Sequence, residues 1–397
     1  MDHAASHEAR RSRPRVELAE VVRAHAGDLG HLSSQQTRAL ESIASCRTAS
    51  LGGHVSRCDS CDHKVLSYNS CRTRHCPKCG GLKELSWVEA RLADILPIEY
   101  FHVVFTIPDK LHELFLRNQK RAYDLLFAAI NETLQEVALS RLGARLGFTA
   151  VLHTWTQTLL YHPHVHCIVA GGGPDSSGEN WIACKPGFFL PVRALAKVFR
   201  GKLLQKLRTA YDSGTLRGES DKVAFAIRKS SRKRWNVYCK PSVFGPENVL
   251  RYLARYTHRI AISNERLVSF RKGKVTFRVK DRKNDNKSEL VALPALEFLR
   301  RFCLHVLPDG FMRVRHYGFL SNSSRSRQLP LCRQLLNAAP PPASSDKPKE
   351  SWQELLFRTT GKDVTRCPKC TKGTLKVIEF LNPTSSKWTI PGKASSP

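Results

Sequence analysis

The sequence predicts an α+β protein, and three stretches carry that prediction. Residues 161–170 read as a strand, filled with apolar and aromatic side chains and stopped by glycines at 171 to 173 and Pro174. Residues 246–262 read as a helix: Val249, Leu250, Tyr252, Leu253 and Tyr256 recur at helical spacing, and Pro246 and Glu247 suit a first turn. A cysteine-rich block lies near the start of the chain. The length, 397 residues, allows two or three domains.

From the N-terminus, residues 16–26 and 33–45 have helical periodicity, and Ser33 with Gln36 is set to form a capping box. The region to about residue 95 is therefore expected to be helical around its cysteines. Cys58-x-x-Cys61 and Cys76-x-x-Cys79 stand fourteen residues apart, a spacing that lets two knuckles converge on one tetrahedral zinc. Cys46, Cys71 and His75 are the expected donors to a second zinc; His54 and His63 lie in the same stretch. Disulfides are the competing reading, but no signal peptide is evident and paired CxxC knuckles fit metal in a reducing cytosol. Four closed ligands leave no open position, so the zinc is structural. Arg47, Arg57, Lys64, Arg72, Arg74 and Lys78 surround the ligands and give the block a DNA-gripping character.

Next come a strand at residues 100–107, helices between 110 and 142, and a strand at 148–155. On the strand that follows, alternate side chains share a face, so His164 and His166 point the same way while Val165 faces the core. Two imidazoles on one edge can hold a divalent ion and leave positions for a phosphate oxygen and water. A strand can also carry two histidines that only hydrogen-bond. Residues 192–211 read as a lever or lid helix. Arg228, Lys229, Arg232, Lys233 and Arg234 precede Trp235, the pairing of cations with an aromatic that single-strand binders use; a solvated loop is the plainer reading.

In the helix at 246–262, Tyr252 and Tyr256 stack at i and i+4 and can reach one phosphate site. Amphipathic packing alone also explains them. Arg251, Arg255 and Arg259 recur every four residues beside the phenols, where cations bind phosphate and favour phenolate. Residues 266–270 and 274–280 form an expected hairpin around Lys272-Gly273, and a helix follows over 293–304. Residues 336–350, rich in Pro, Ala and Ser, are an expected linker, and 351–397 a small C-terminal module with a single knuckle, Cys367-x-x-Cys370. That half site needs another chain to complete it or is a remnant. Cys167, Cys184, Cys239, Cys303 and Cys332 read as small buried hydrophobes.

His162-Pro163-His164-Val165-His166-Cys167-Ile168-Val169 before a triple glycine, Val249 to Arg259 with both tyrosines, and the cysteine block occur in one order. Together they resemble the rolling-circle, two-tyrosine transposases of the insertion-sequence ninety-one family, within the HUH endonuclease superfamily. The resemblance runs from about residue 20 to about residue 335. It implies a central antiparallel sheet flanked by helices over residues 96–335, preceded by a zinc-binding DNA-recognition domain over 1–95. It implies that His164 and His166 hold magnesium or manganese, with His162 and Gln157 the candidates for a third ligand. It implies that Tyr252 and Tyr256 attack single-stranded DNA at element ends, leaving a 5′-phosphotyrosine and a free 3′-hydroxyl.

Composition agrees with a nucleic-acid partner: 64 Lys and Arg against 34 Asp and Glu give a formal charge of +30, spread along the chain. No apolar stretch is free enough of polar residues to span a membrane, and no P-loop is present, so strand unwinding needs a partner helicase. A cytoplasmic, nucleoid-associated protein of a prokaryote is expected. Two other readings remain open: a plasmid or phage replication initiator or relaxase using the same chemistry, and a non-catalytic zinc-dependent DNA-binding regulator.

Overall fold

Alternation of apolar residues along three strands builds the centre of the molecule. The computed structural model describes residues 16–79, 87, 91, 94–241, 260–281, 287–339, 350–384 and 387–392. The strands β3 (Tyr100–Thr106), β4 (Phe148–Trp155), β5 (Tyr161–Ala170), β8 (Val237–Pro241) and β12 (Val314–Tyr317) form one antiparallel sheet in the order β12-β4-β5-β3-β8. This is the central antiparallel sheet that the family resemblance implies. Phe101, Val103 and Phe105 of β3, Phe148, Ala150 and Leu152 of β4, and Val165, Cys167 and Val169 of β5 all enter one core. Each large apolar side chain buried there contributes about 1.5–3 kcal/mol.

Two long helices cover that face. Helix α4 (Gln119–Leu142), preceded by the short α3 (His112–Arg117), presents Ala122, Tyr123, Leu126, Ala129, Ile130, Leu134 and Val137 to the sheet at helical spacing, and it stops at Gly143, whose φ is 75°. Helix α5 (Val192–Asp212) buries Leu195, Phe199, Leu203 and Leu207 in the same core. The expected lever or lid is therefore a packed layer, because its apolar stripe needs the sheet and α4 to cover it. Helix α6 (Ser220–Arg232) runs on towards β8.

The other face of the sheet carries His102, His153, His164 and His166, and its far end packs Tyr100 and Ile168 against Leu320, Leu329 and Cys332. The last two belong to α8 (Arg325–Leu335). After β5 the chain turns through glycines into the short hairpin β6 (Gly172–Pro174) and β7 (Trp181–Ala183). A Cβ at Gly173 would lie 1.9 Å from the Arg145 carbonyl oxygen, so this close backbone approach admits no side chain.

A second core joins distant parts of the sequence. Helices α1 (Leu18–His25) and α2 (Ser34–Ser45) pack Leu18, Leu40 and Ile43 with Phe277 of β10 (Lys274–Asp281) and with Phe298 of α7 (Ala295–Cys303). Helix α2 begins with the capping box expected at Ser33 and Gln36. Strands β9 (Leu267–Arg271), β10 and β11 (Lys287–Pro294) form a three-stranded antiparallel sheet, its first turn held by Lys272 and Gly273 at φ 49° and 68°. That pair is the two-residue hairpin geometry the sequence predicts.

Between the N-terminal cysteines the expectation of helices fails. Residues Gly53–Cys58 (β1) and Lys64–Tyr68 (β2) form a hairpin, and β13 (Leu375–Leu381) from the far end of the chain pairs with β1 to make the sheet β13-β1-β2. Val55, Val65 and Tyr68 favour strand, and the knuckle at Cys58-x-x-Cys61 is itself the turn between strands. Helix α9 (Trp352–Thr360) precedes that last strand. Among the described residues no helix is long and apolar enough to cross a membrane.

Candidate functional site

Strand register decides which histidines meet. His164 of β5 lies directly opposite His153 of β4, and His166, two residues along, shares the face. One ring nitrogen from each of His153, His164 and His166 falls in a group whose members all lie within 4.8 Å of one another. His153 is 2% exposed, His166 is 8% exposed and His164 is half-buried, so the group opens to solvent on the His164 side. The five residues between β4 and β5 form a tight hairpin loop, Thr156 N–H donating to the Leu160 carbonyl at 3.0 Å.

On His164 and His166 the second ring nitrogen is already engaged. His164 Nδ1 donates to the His162 carbonyl at 2.7 Å, and His166 Nδ1 lies 2.8 Å from His102 Nε2. Burial, with Lys240 and His164 nearby, pushes His102 down to about 4, and its Nε2 shares one hydrogen bond with His166 Nδ1. Both ligating candidates thus present Nε2 to the common centre. Three clustered imidazoles with a hydrogen-bonded outer contact are the donor set of a divalent transition ion with open positions.

The expected third ligands sit elsewhere. His162 shares the strand face, with its ring centroid 5.5 Å from that of His164, but it falls outside the group and packs its ring edge-on to His112. Gln157 lies in the hairpin loop, its backbone carbonyl accepting from the Arg266 guanidinium. His153 was missed because its significance is in the register: strands at 148–155 and 161–170 joined by five residues place 153 opposite 164. Tyr252, Tyr256, Arg251, Arg255 and Arg259 lie outside the described residues.

Thiols gather in two groups, and the grouping differs from the expected one. Cys76 and Cys79 meet Cys46 and Cys71, while Cys58 and Cys61 meet Cys367 and Cys370. In the first group Cys79 Sγ lies 3.5 Å from Cys46 Sγ and 3.7 Å from Cys71 Sγ. The strands β1 and β2 carry the Cys58 knuckle away from Cys76, so the two N-terminal CxxC pairs do not converge. His75 is not a donor in either group. Desolvation, with Arg74 and Arg313 close by, pushes it down to about 3.

The basic run also departs from expectation. Arg228, Lys229 and Arg232 are exposed along α6 and Arg234 follows it, while Lys233 pairs with Asp109 at 2.8 Å. Trp235, 4% exposed, stacks edge-on against Phe199 and donates its indole N–H to the Ser230 carbonyl at 2.9 Å. Its ring is core, and base stacking there is closed off. Cys167, Cys303 and Cys332 are buried and Cys184 and Cys239 half-buried, as small hydrophobes should be.

Comparison with known proteins settles the family. The chain is 45% identical over 381 residues to a putative transposase, y4qJ, of Sinorhizobium fredii (strain NBRC 101917 / NGR234), covering 92% of this chain and 96% of that one. A family described as putative transposase matches residues 147–327, and the transposase zinc-binding domain of the insertion-sequence ninety-one type matches residues 18–107. This chain belongs to the insertion-sequence ninety-one family of transposases. It is also 27% identical over 353 residues to the transposase for insertion sequence element IS801 of Pseudomonas savastanoi pv. phaseolicola, covering 87% of this chain and 84% of the other. The match to the zinc-binding domain spans the first thiol group of the transposase and half of the second, and the match to the putative transposase family spans all three clustered histidines. Two structures of the conjugative relaxase TrwC with oriT DNA overlap it weakly. The copper-bound one is 14% identical over 39% of this chain and 68% of its own with a TM-score of 0.23, and the metal-bound one is 12% identical over 57% and 95% with a TM-score of 0.24.

Proposed function

We propose that this transposase cuts and rejoins single-stranded DNA at the ends of its element by tyrosine attack, moving the element by a rolling-circle route. The observation that carries the reading is the three-imidazole group on the histidine-bearing face of the central sheet, open at His164, in a chain of this family. His153, His164 and His166 would hold a divalent cation, which supplies Lewis acidity to a non-bridging phosphate oxygen. Imidazole donors suit manganese better than magnesium, whose preference is for oxygen.

Tyr252 and Tyr256 are the nucleophiles in this reading. The phenol oxygen of one bonds to phosphorus, the bond from phosphorus to the 3′ oxygen breaks, and the phenolic proton leaves to solvent while the 3′ oxygen takes one up. A 5′-phosphotyrosine and a free 3′-hydroxyl result. The phosphodiester's energy stays in the protein–DNA link, so attack by a 3′-hydroxyl reseals a strand without a nucleotide cofactor. A second tyrosine lets a second strand be cut while the first is held. Arg251, Arg255 and Arg259 stabilise charge on the phosphate, and Arg228, Lys229, Arg232 and Arg234 line a path for the backbone beyond it. Strand separation falls to a host helicase.

The test incubates the purified chain with 5′- and 3′-labelled single-stranded oligonucleotides from the element's ends and manganese. A metal-dependent covalent adduct on the downstream fragment, retained in one single tyrosine variant and lost in Tyr252→Phe/Tyr256→Phe, supports the reading. Tight DNA binding without an adduct under any divalent metal overturns it in favour of a non-catalytic regulator.

A further inference from the structure

We propose that Cys58, Cys61, Cys367 and Cys370 form a second zinc site, a clasp that binds the end of the chain to its beginning. The four sulfurs lie within 4.8 Å of one another although the pairs are 312 and 306 residues apart in sequence: Cys58 Sγ to Cys370 Sγ is 3.7 Å, and Cys61 Sγ to Cys367 Sγ is 3.7 Å. Zinc–thiolate bonds of ~2.3 Å in a tetrahedron place sulfurs about 3.8 Å apart, so the spacing is that of zinc ligands. A disulfide requires ~2.05 Å, which neither pair approaches.

The surrounding backbone repeats itself in the two halves. Cys58 N–H donates to the His63 carbonyl at 3.0 Å, closing one knuckle, and Cys367 N–H donates to the Gly373 carbonyl at 2.8 Å, closing the other. The residue after each knuckle is in the left-handed region, Asp62 at φ 55° and Thr371 at φ 57°. Backbone N–H groups point at sulfur in both: Ser60 to Cys58, Lys369 to Cys367 and Gly373 to Cys370, each at 3.4 Å. Such donors stabilise thiolate rather than thiol. A Cβ on Gly373 would lie 2.4 Å from Cys58 Sγ, so the second knuckle fits against the first only with glycine there. Asp59 adds a seam, its carboxylate accepting from Thr374 N–H at 2.8 Å.

The same geometry appears in the group of Cys46, Cys71, Cys76 and Cys79, where Arg47 and Arg72, following Cys46 and Cys71, are at φ 58° and 56°. The clasp differs in what it joins. It makes β1 the middle strand of a sheet whose outer strand, β13, comes from beyond residue 370. Because the four thiolates meet only in the folded chain, zinc binding there adds its free energy to folding.

Zinc per chain in the full-length protein, measured by inductively coupled plasma mass spectrometry, tests the clasp. Two ions are expected in the wild type, one in Cys367→Ser/Cys370→Ser, one in Cys58→Ser/Cys61→Ser, and still one when all four are changed. A tail variant that keeps two ions, a wild type that holds one, or a four-fold variant that holds none overturns it. Because loss of thiols from the hairpin can unfold it, Cys370→His is the second arm. It should keep both ions, and in cobalt-loaded protein the thiolate charge-transfer absorption should fall by about one-eighth, from eight sulfur ligands to seven. Unchanged absorption contradicts the assignment.

Discussion

The histidine group and the thiol groups are both clusters of metal-binding side chains, yet they are assembled in opposite ways. His153, His164 and His166 come from two adjacent strands of one hairpin, offer three ring nitrogens and open to solvent at His164. The thiol groups draw four ligands each, and the clasp draws them from opposite ends of the chain. A three-donor set with an open side can accept a phosphate oxygen, whereas four thiolates close the coordination sphere and leave only a structural role. In the proposed reading the transposase separates chemistry from scaffolding by ligand number as well as by ligand type.

The sharpest way to break this contrast is to remove one ligand from each kind of group. Cys46→Ser should cost the most. Structural zinc contributes on the order of 10 kcal/mol of apparent binding energy, so this variant should lose one zinc ion per chain and show fast hydrogen exchange across α1 and α2, whose core includes Cys46. If exchange in α1 and α2 is unchanged, the thiol group is not structural. His164→Ala should do the reverse: zinc content and melting temperature hold, while the rate of DNA adduct formation in a single turnover falls by about a hundredfold or more. A parallel loss of zinc would merge the two kinds of site.

A smaller effect is expected one contact further out. His102→Phe removes the hydrogen-bond partner of His166 Nδ1 and should weaken manganese binding by about 10–100-fold, read by titration, with the fold intact. The smallest effect concerns pH. His305 donates from Nε2 to the Leu159 carbonyl at 3.0 Å and accepts at Nδ1 from Thr154, which ties the turn after α7 to the β4–β5 hairpin. Burial pushes it from 6.5 down to about 4. In that window the unfolded chain binds the proton and the folded chain does not, so this contribution to stability is intact above 6.5 and is lost as pH falls from 6.5 towards 4. Thermal melts across that range should show a slope that His305→Gln flattens, and an unaltered slope would remove His305 from the account.

Much of the site was legible because it obeys local periodicity. The two-residue alternation placed His164 and His166 on one face and Val165 in the core, and the Ser33–Gln36 capping box fixed the start of α2. What escaped depends on long-range pairing. Three CxxC knuckles are chemically alike, and spacing alone does not say that Cys58 turns away along β1 to meet Cys370 while Cys76 meets Cys46. Trp235 followed a run of cations and read as a surface aromatic, but the end of α6 folds it against Phe199. The helix at 192–211 read as a lever or lid, and only the sheet beneath α5 shows that it is covering rather than mobile. His153 required a register that sequence periodicity does not supply.

Manganese titration of the zinc-loaded protein, followed by electron paramagnetic resonance, tests the three-histidine centre most directly. One manganese site is expected in the wild type, lost alike in His153→Ala, His164→Ala and His166→Ala and kept in His162→Ala. Undiminished binding in His153→Ala, together with loss in His162→Ala, would contradict the assignment and return the third position to the neighbouring histidine on β5.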